Sequence, residues 1–245
     1  MTASPNMARN AARLVYKAIQ PALSPVNDAQ YRELLDLYRA EPNFAVAVEE
    51  VAEGLELTVL DFSERGLVVV PASRESKFAM RMMDIRSGLK PEQKAALVLA
   101  HVAVAAVFYP TTSGLEDDRF VPPPASLGQF RDTLLALARR LKESAEKEVD
   151  LKDVPNELAP GWELICSMPL MLPGAQRASP ASVTGLIGLA LLHMVNGTLV
   201  RVDREAADEA LVTYTPTHRL QVQLRELTLR RLFDIAQAGA VAGGA

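Results

Sequence analysis

The spacing of apolar positions divides the chain into helices and short paired strands. Residues 8–20 carry Ala, Leu, Val and Ile at helical spacing up to Pro21, and predict a helix. Leu34, Leu35, Leu37 and Tyr38 form a helical stripe over 28–40, with Asn27 or Asp28 placed to cap it. A turn at Glu41-Pro42-Asn43 leads into a helix over 44–53, with Gly54 as the expected C′ residue. The period then changes from 3.6 to 2. Leu55, Leu57 and Val59 alternate with polar residues, Ser63-Glu64-Arg65-Gly66 reads as a turn, and Leu67 to Val70 is a β-branched strand stopped by Pro71.

The middle of the chain is helical with one strong break. Residues 76–88 read as a mixed, partly helical segment. Pro91-Glu92-Gln93 starts a helix that runs through the apolar stretch Ala95 to Tyr109, interrupted only by His101. Residues 110–126, PTTSGLEDDRFVPPPAS, read as a linker, and Ser126 as the cap of an amphipathic helix over 127–147. Its Phe130, Leu134, Leu137 and Leu141 share one face. A charged, proline-containing connector covers 150–161.

The last third repeats the first pattern. Trp162 to Leu172 is apolar and partly helical, and Ser179-Pro180 is the expected cap and first-turn pair of a helix over 183–195. Gly197 ends that helix. Leu199, Val200 and Val202 form a strand, 203–210 a charged tip, Leu211 to Tyr214 the return strand, and Pro216 its stop. An amphipathic helix over 217–237 and a Gly/Ala tail follow. Seventeen positions separate Gly54 from Pro71, and nineteen separate Gly197 from Pro216. Helix, glycine, strand, charged tip, strand and proline thus occur twice. The expected fold class is mainly α with small β-hairpins (α+β): tandem winged-helix domains joined by a helical connector. The expected division is 1–90, 91–150 (including the linker 110–126) and 151–245.

Composition adds bounds to this picture. The 245 residues are 49% hydrophobic and 23% charged, enough to bury a core. The net charge of −4 gives no support to a dedicated DNA binder, which usually carries a basic excess. The one cysteine, Cys166, has no partner for an internal disulfide or a zinc site, and its apolar neighbours predict a buried, unreactive thiol. The N-terminus lacks the apolar core of a signal peptide. The run 95–109, at about 1.5 Å per residue, falls short of a hydrocarbon core of roughly 30 Å and reads as a buried helix. A cytoplasmic, nucleoid-associated protein without membrane contact is the expectation.

No constellation for catalysis emerges. There is no G-x-x-x-x-G-K-[ST] and no G-x-G-x-x-G. Gly185 and Gly188, in Thr184-Gly185-Leu186-Ile187-Gly188, have no preceding strand and no phosphate lysine, and read as sites of close packing. His101, His193 and His218 lack metal-ligand spacing, and His101 and His193 read as satisfied core or interface histidines. Glu116-Asp117-Asp118 reads as a solvated acidic turn, and no serine sits in G-x-S-x-G. The expectation is no enzyme, no cofactor and no metal.

DNA reading fares little better. A helix that reads bases needs Arg, Lys, Asn or Gln on its exposed face. The helix 44–53 carries Glu49, Glu50 and Glu53 and no basic residue, and 183–195 carries no charged residue at all. Basic residues lie elsewhere: Arg9, Arg13 and Lys17 on the first helix, Lys77, Arg81, Arg86 and Lys90 around 77–90, and Arg219, Arg225, Arg230 and Arg231 on the last helix. These are the candidates for contact with a phosphate backbone, without sequence readout; the alternative for each group is an ordinary solvated helix face. Both hairpin tips are charged, with Glu64 and Arg65 in the first and Asp203 and Arg204 in the second.

Two segments, YRELLDLYRAEPNFAVAVEEVAEGLELTVLDFSERGLVVVPA and ASVTGLIGLALLHMVNGTLVRVDREAADEALVTYTPTHRLQVQL, together resemble the KITE family. Its members are the tandem winged-helix accessory subunits of bacterial condensins and related SMC complexes. The resemblance is architectural and covers about a third of the chain. It implies a non-enzymatic homodimer that binds a kleisin and, through it, an SMC ATPase acting on DNA in chromosome organisation or plasmid defence. On this reading the apolar helices 95–109 and 183–195 supply domain core and dimer contact. A winged-helix transcription regulator that binds a defined DNA site is the alternative, and an enzyme or small-molecule sensor a third.

Overall fold

The computed structural model describes residues 5–20, 23–73, 75–79, 85–146, 156–172, 179–204 and 212–226. The protein is mainly helical with small antiparallel sheets, an α+β chain. It divides into two compact units, residues 1–80 with 218–245, and residues 81–217. The boundaries differ from the expected ones: the stretch read as a connector lies within the second unit, and the last helix belongs with the first.

The first unit comprises α1 (Pro5–Ile19), α2 (Ala29–Ala40), α3 (Pro42–Gly54) and the hairpin β1 (Leu57–Ser63) and β2 (Gly66–Pro71). Residues 218–226, the start of the last helix, complete it. Its core gathers Leu14 and Val15 of α1, Tyr31, Leu34 and Leu35 of α2, Phe44 and Val48 of α3, and Leu57, Leu67 and Val69 of the hairpin. Asp28 caps α2 by accepting from the Tyr31 N–H at 2.9 Å and also pairs with Lys17 of α1. Gly66 is required where it stands. Its φ is +131°, and an added Cβ would lie 2.9 Å from the Tyr31 hydroxyl, which accepts the Leu67 N–H at 3.2 Å.

The second unit comprises α4 (Pro91–Phe108), α5 (Thr112–Glu116), β3 (Ala125–Ser126), α6 (Leu127–Glu146), α7 (Ala159–Ser167), α8 (Val183–Asn196), β4 (Val200–Arg204) and β5 (Thr213–Pro216). Helix α4 is apolar nearly all round, so one partner does not suffice to cover it. It packs on α6, α7 and α8. By length and composition alone α4 would pass as a membrane span, yet 44% of its residues are buried within the protein. The expected linker 110–126 is not uniformly irregular. It holds α5 and β3, and β3 pairs with β5 to give a three-stranded sheet of order β3-β5-β4. Ser126 still starts α6, its backbone N–H donating to Gln129 Oε1 at 2.8 Å. The cap of α8 is Ser182, which accepts the Gly185 N–H at 3.1 Å, rather than Ser179.

Gly54, the expected C′ residue, and Gly197, expected to end its helix, stand at the two helix ends. Neither adopts positive φ. Glu56 (φ 57°) and Thr198 (φ 58°) do. Each stands where a helix turns into the first strand of a hairpin. The Ala72 N–H closes one hairpin on the Glu56 carbonyl, and the Thr217 N–H closes the other on the Leu199 carbonyl, both at 2.9 Å. A β-branched residue in this region is strained. Thr198→Gly and Glu56→Gly are therefore expected to stabilise their units by roughly 0.5–1 kcal/mol, with the larger gain at Thr198. Chemical denaturation checks this, and a loss of stability at both positions would refute the strain.

Candidate functional site

The expected phosphate-contacting residues fall into three groups. Arg9 and Arg13 are exposed on one face of α1 beside Tyr16, and Lys77, Arg86 and Lys90 are exposed as well. Lys17 is not presented with Arg9 and Arg13, because it is buried against Asp28. Arg219 and Arg225 face inward and hold the last helix to the hairpin of the first unit. Arg219 Nη2 donates to the Val69 carbonyl at 2.8 Å, and burial lowers its pKa. Arg225 lies 3.7 Å from Asp61 and 3.3 Å from Glu226. Arg81, Arg230 and Arg231 lie outside the described residues. Arg139, Arg140 and Lys142 on α6 are exposed and were not among the sequence candidates. Their helix was read for its apolar stripe, although its i, i+1, i+3 basic spacing carried the signal.

Helices α3 and α8, the two tested above as base readers, keep the chemistry that their sequences imply. Glu49, Glu50 and Glu53 are exposed on α3 together with Val46. On α8 the outward stripe is Thr184, Gly188, Leu192 and Val195, with Leu192 55% exposed. Beside it α4 turns Val98, Val102, Ala105 and Ala106 outward, Val102 being 47% exposed. Neither stripe contains a charged side chain, so each favours an apolar contact over a phosphate.

Folding also brings together residues that are remote in sequence. Asp61 and Ser63 of β1 meet His218. These are the residue types of a hydrolytic triad, without its wiring. His218 Nε2 lies 3.2 Å from Asp61 Oδ2 and 3.1 Å from Ser63 Oγ, so both partners share one nitrogen. A carboxylate only accepts, which puts the proton on Nε2. That nitrogen is then unable to take a proton from Ser63, as a general base would. Nδ1 is buried and has no hydrogen-bond partner among the described residues. The donation from His218, with Arg225 nearby, holds the Asp61 carboxyl below the usual aspartate range against the opposing effect of burial. The cluster fastens a helix to a hairpin.

In the second unit His101 of α4 and His193 of α8 are hydrogen-bonded at 2.8 Å, a pairing that their separation in sequence conceals. Cys166 is exposed, contrary to the expected burial. Helix α7 is short, and its inward stripe is Gly161, Trp162 and Ile165, one position out of phase with the thiol. Glu116, Asp117 and Asp118 form an exposed turn, with Asp117 accepting the Arg119 N–H at 2.9 Å. Gly185 is a site of close approach, to the Ser179 backbone. No family model, curated protein or solved structure matches the chain.

Proposed function

We propose that this protein is a tandem winged-helix, KITE-like accessory subunit, a non-enzymatic homodimer. It would join a kleisin and an SMC ATPase in chromosome organisation or plasmid defence. The observation that carries this reading is the surface of α3 and α8. A DNA-reading winged helix places basic and amide side chains there. Here α3 offers three glutamates, and α8 and α4 each an uncharged apolar stripe. The first surface repels phosphate, and the second suits another protein.

Likeness between the two units supports the tandem part of the reading. Each runs through a helix cluster into a hairpin. Each has a non-glycine left-handed residue at the hairpin's entry and a register shift in its first strand. The exposed Arg9, Arg13, Arg139 and Arg140 leave room for backbone contact with DNA, without base recognition.

Light scattering on the purified chain, followed by co-expression with an SMC-like ATPase and kleisin from its own organism, tests the proposal. A stable dimer that co-purifies with both is the expected result. A strict monomer at high concentration, or tight binding to one defined DNA site with a steep salt dependence, would overturn it in favour of a regulator.

A further inference from the structure

The helices of the first unit divide by charge. Helix α2 mixes signs, with Arg32, Glu33, Asp36 and Arg39. Helix α1 has basic residues and no acidic one, and α3, which packs on it, has acidic residues and no basic one. On α1 the exposed stripe is Arg9, Ala12, Arg13 and Tyr16; on α3 it is Val46, Glu49, Glu50 and Glu53. Both follow i, i+3, i+4, i+7, the spacing of one helix face.

The charges of these stripes are not compensated inside the chain. Lys17, on the inner side of α1, pairs with Asp28, but no described carboxylate pairs with Arg9 or Arg13. No described cation pairs with Glu49, Glu50 or Glu53 either, and Glu49 lies 3.5 Å from the Tyr38 hydroxyl. Each stripe also carries one large apolar side chain that a lone chain leaves in water: Tyr16 is 56% exposed and Val46 53%.

The order of residues fixes how the two stripes fit. With the helices antiparallel, Arg9 comes opposite Glu53, Arg13 opposite Glu49 and Glu50, and Tyr16 opposite Val46. Each stripe spans seven positions, about 10 Å of helix, so all three matches fall in one register. A parallel arrangement sets Arg9 on Val46 and Tyr16 on Glu53, and loses both ends. Ala12 lies between the arginines, where a short side chain lets the helices approach. Both stripes face outward from the same unit, so each finds its match on a second copy.

We propose that two copies associate through these stripes, α1 of one copy docking antiparallel on α3 of the other. The proposal rests on the homodimer reading above and names its surface. It places the dimer contact in the first unit, leaving the apolar faces of α4 and α8 for a different protein and Arg139 and Arg140 as exposed arginines for DNA. Exposed ion pairs are individually weak, so the charges set partner choice and orientation more than tightness, and Tyr16 against Val46 supplies the apolar contact.

Light scattering and sedimentation of the full chain test the docking. Raising salt from about 0.05 to about 0.5 M screens the pairs and is expected to weaken self-association about tenfold or more. Arg9→Glu/Arg13→Glu makes both stripes acidic, and Glu50→Arg/Glu53→Arg makes both net basic. Each variant alone is expected to be monomeric where the wild type is a dimer. Mixed in equal amounts, the two should form a heterodimer, because an acidic stripe again meets a basic one at both contacts; misfolded chains would not. Variants that dimerise as the wild type does, with no gain on mixing, would overturn the docking and leave the homodimer reading standing. A wild type that stays monomeric at low salt and high concentration would overturn both. An Arg9→Glu/Arg13→Glu chain that loses duplex-DNA binding yet remains a dimer would assign the α1 stripe to phosphate, and overturn the docking likewise.

Discussion

Gly185→Ala is expected to destabilise the second unit by about 3 kcal/mol or more. The added Cβ would lie 2.0 Å from the Ser179 carbonyl oxygen, and 2.7 and 2.9 Å from Ser179 N and C. All three are backbone atoms, so no rotamer change relieves the clash. The neighbourhood resists a shift as well. The first turn of α8 has its N–H groups bound to the Pro169 carbonyl at 3.0 Å, the Leu170 carbonyl at 3.0 Å and Ser182 Oγ at 3.1 Å. Moving the helix away from Ser179 strains the cap and these bonds together. Set against a total of about 5–15 kcal/mol for a natural domain, such a loss leaves the unit marginal. Gly54→Ala is the contrasting case. Nothing lies within 4 Å of its added Cβ, so that substitution is expected to be neutral or to stabilise by up to about 1 kcal/mol. Urea unfolding of both variants checks the pair. Equal midpoints for Gly185→Ala and wild type would show that α8 does not approach Ser179 so closely.

Periodicity made the long elements of both units legible. Residues 28–40 show a clean helical stripe, and α2 covers 29–40. The alternation through Leu57 and Val59 becomes β1, paired with β2 across the expected turn. Short or non-local features escaped. Strand β3 is two residues long, lies in a proline-rich stretch and exists only because Ala125 and Ser126 pair with Tyr214 and Thr213. No local pattern specifies such a strand. Ser179 and Ser182 are equally good caps by residue type. The choice falls on Ser182 because Ser179 is held by its backbone against Gly185.

The candidate chemistry was legible in residue type more than in place. Arg219 and Arg225 read as members of a basic face, but a helix has two sides. Theirs turns toward Val69 and Asp61, which lie some 150 residues earlier in the chain. The uncharged character of 183–195 was plain in the sequence, and its exposed stripe is the part that folding adds. The two histidine contacts, His218 with Asp61 and His101 with His193, join residues with no sequence signal linking them. The mis-assigned Cys166 has the same origin: composition places it among apolar residues, while helix phase turns it outward.

Phe130→Ala is the other substitution with a large expected cost, about 3–5 kcal/mol, again in the second unit. Phe130 is fully buried on α6 and stands between two aromatic rings. The Phe108 ring of α4 lies edge-on at 5.2 Å and the Tyr214 ring of β5 at 6.1 Å. One side chain therefore ties the apolar helix, the amphipathic helix and the central strand of the sheet. Truncation removes the buried ring, both edge contacts and the volume that the rigid neighbours fill incompletely. Phe130→Leu retains most of the apolar area and forfeits the two aromatic contacts, so a smaller cost, about 1–2 kcal/mol, is expected. The graded order wild type, Leu, Ala in Trp162-detected urea midpoints is the observable. A Leu variant as damaged as the Ala variant would assign the stability to ring geometry; equal midpoints for all three would remove Phe130 from the core altogether.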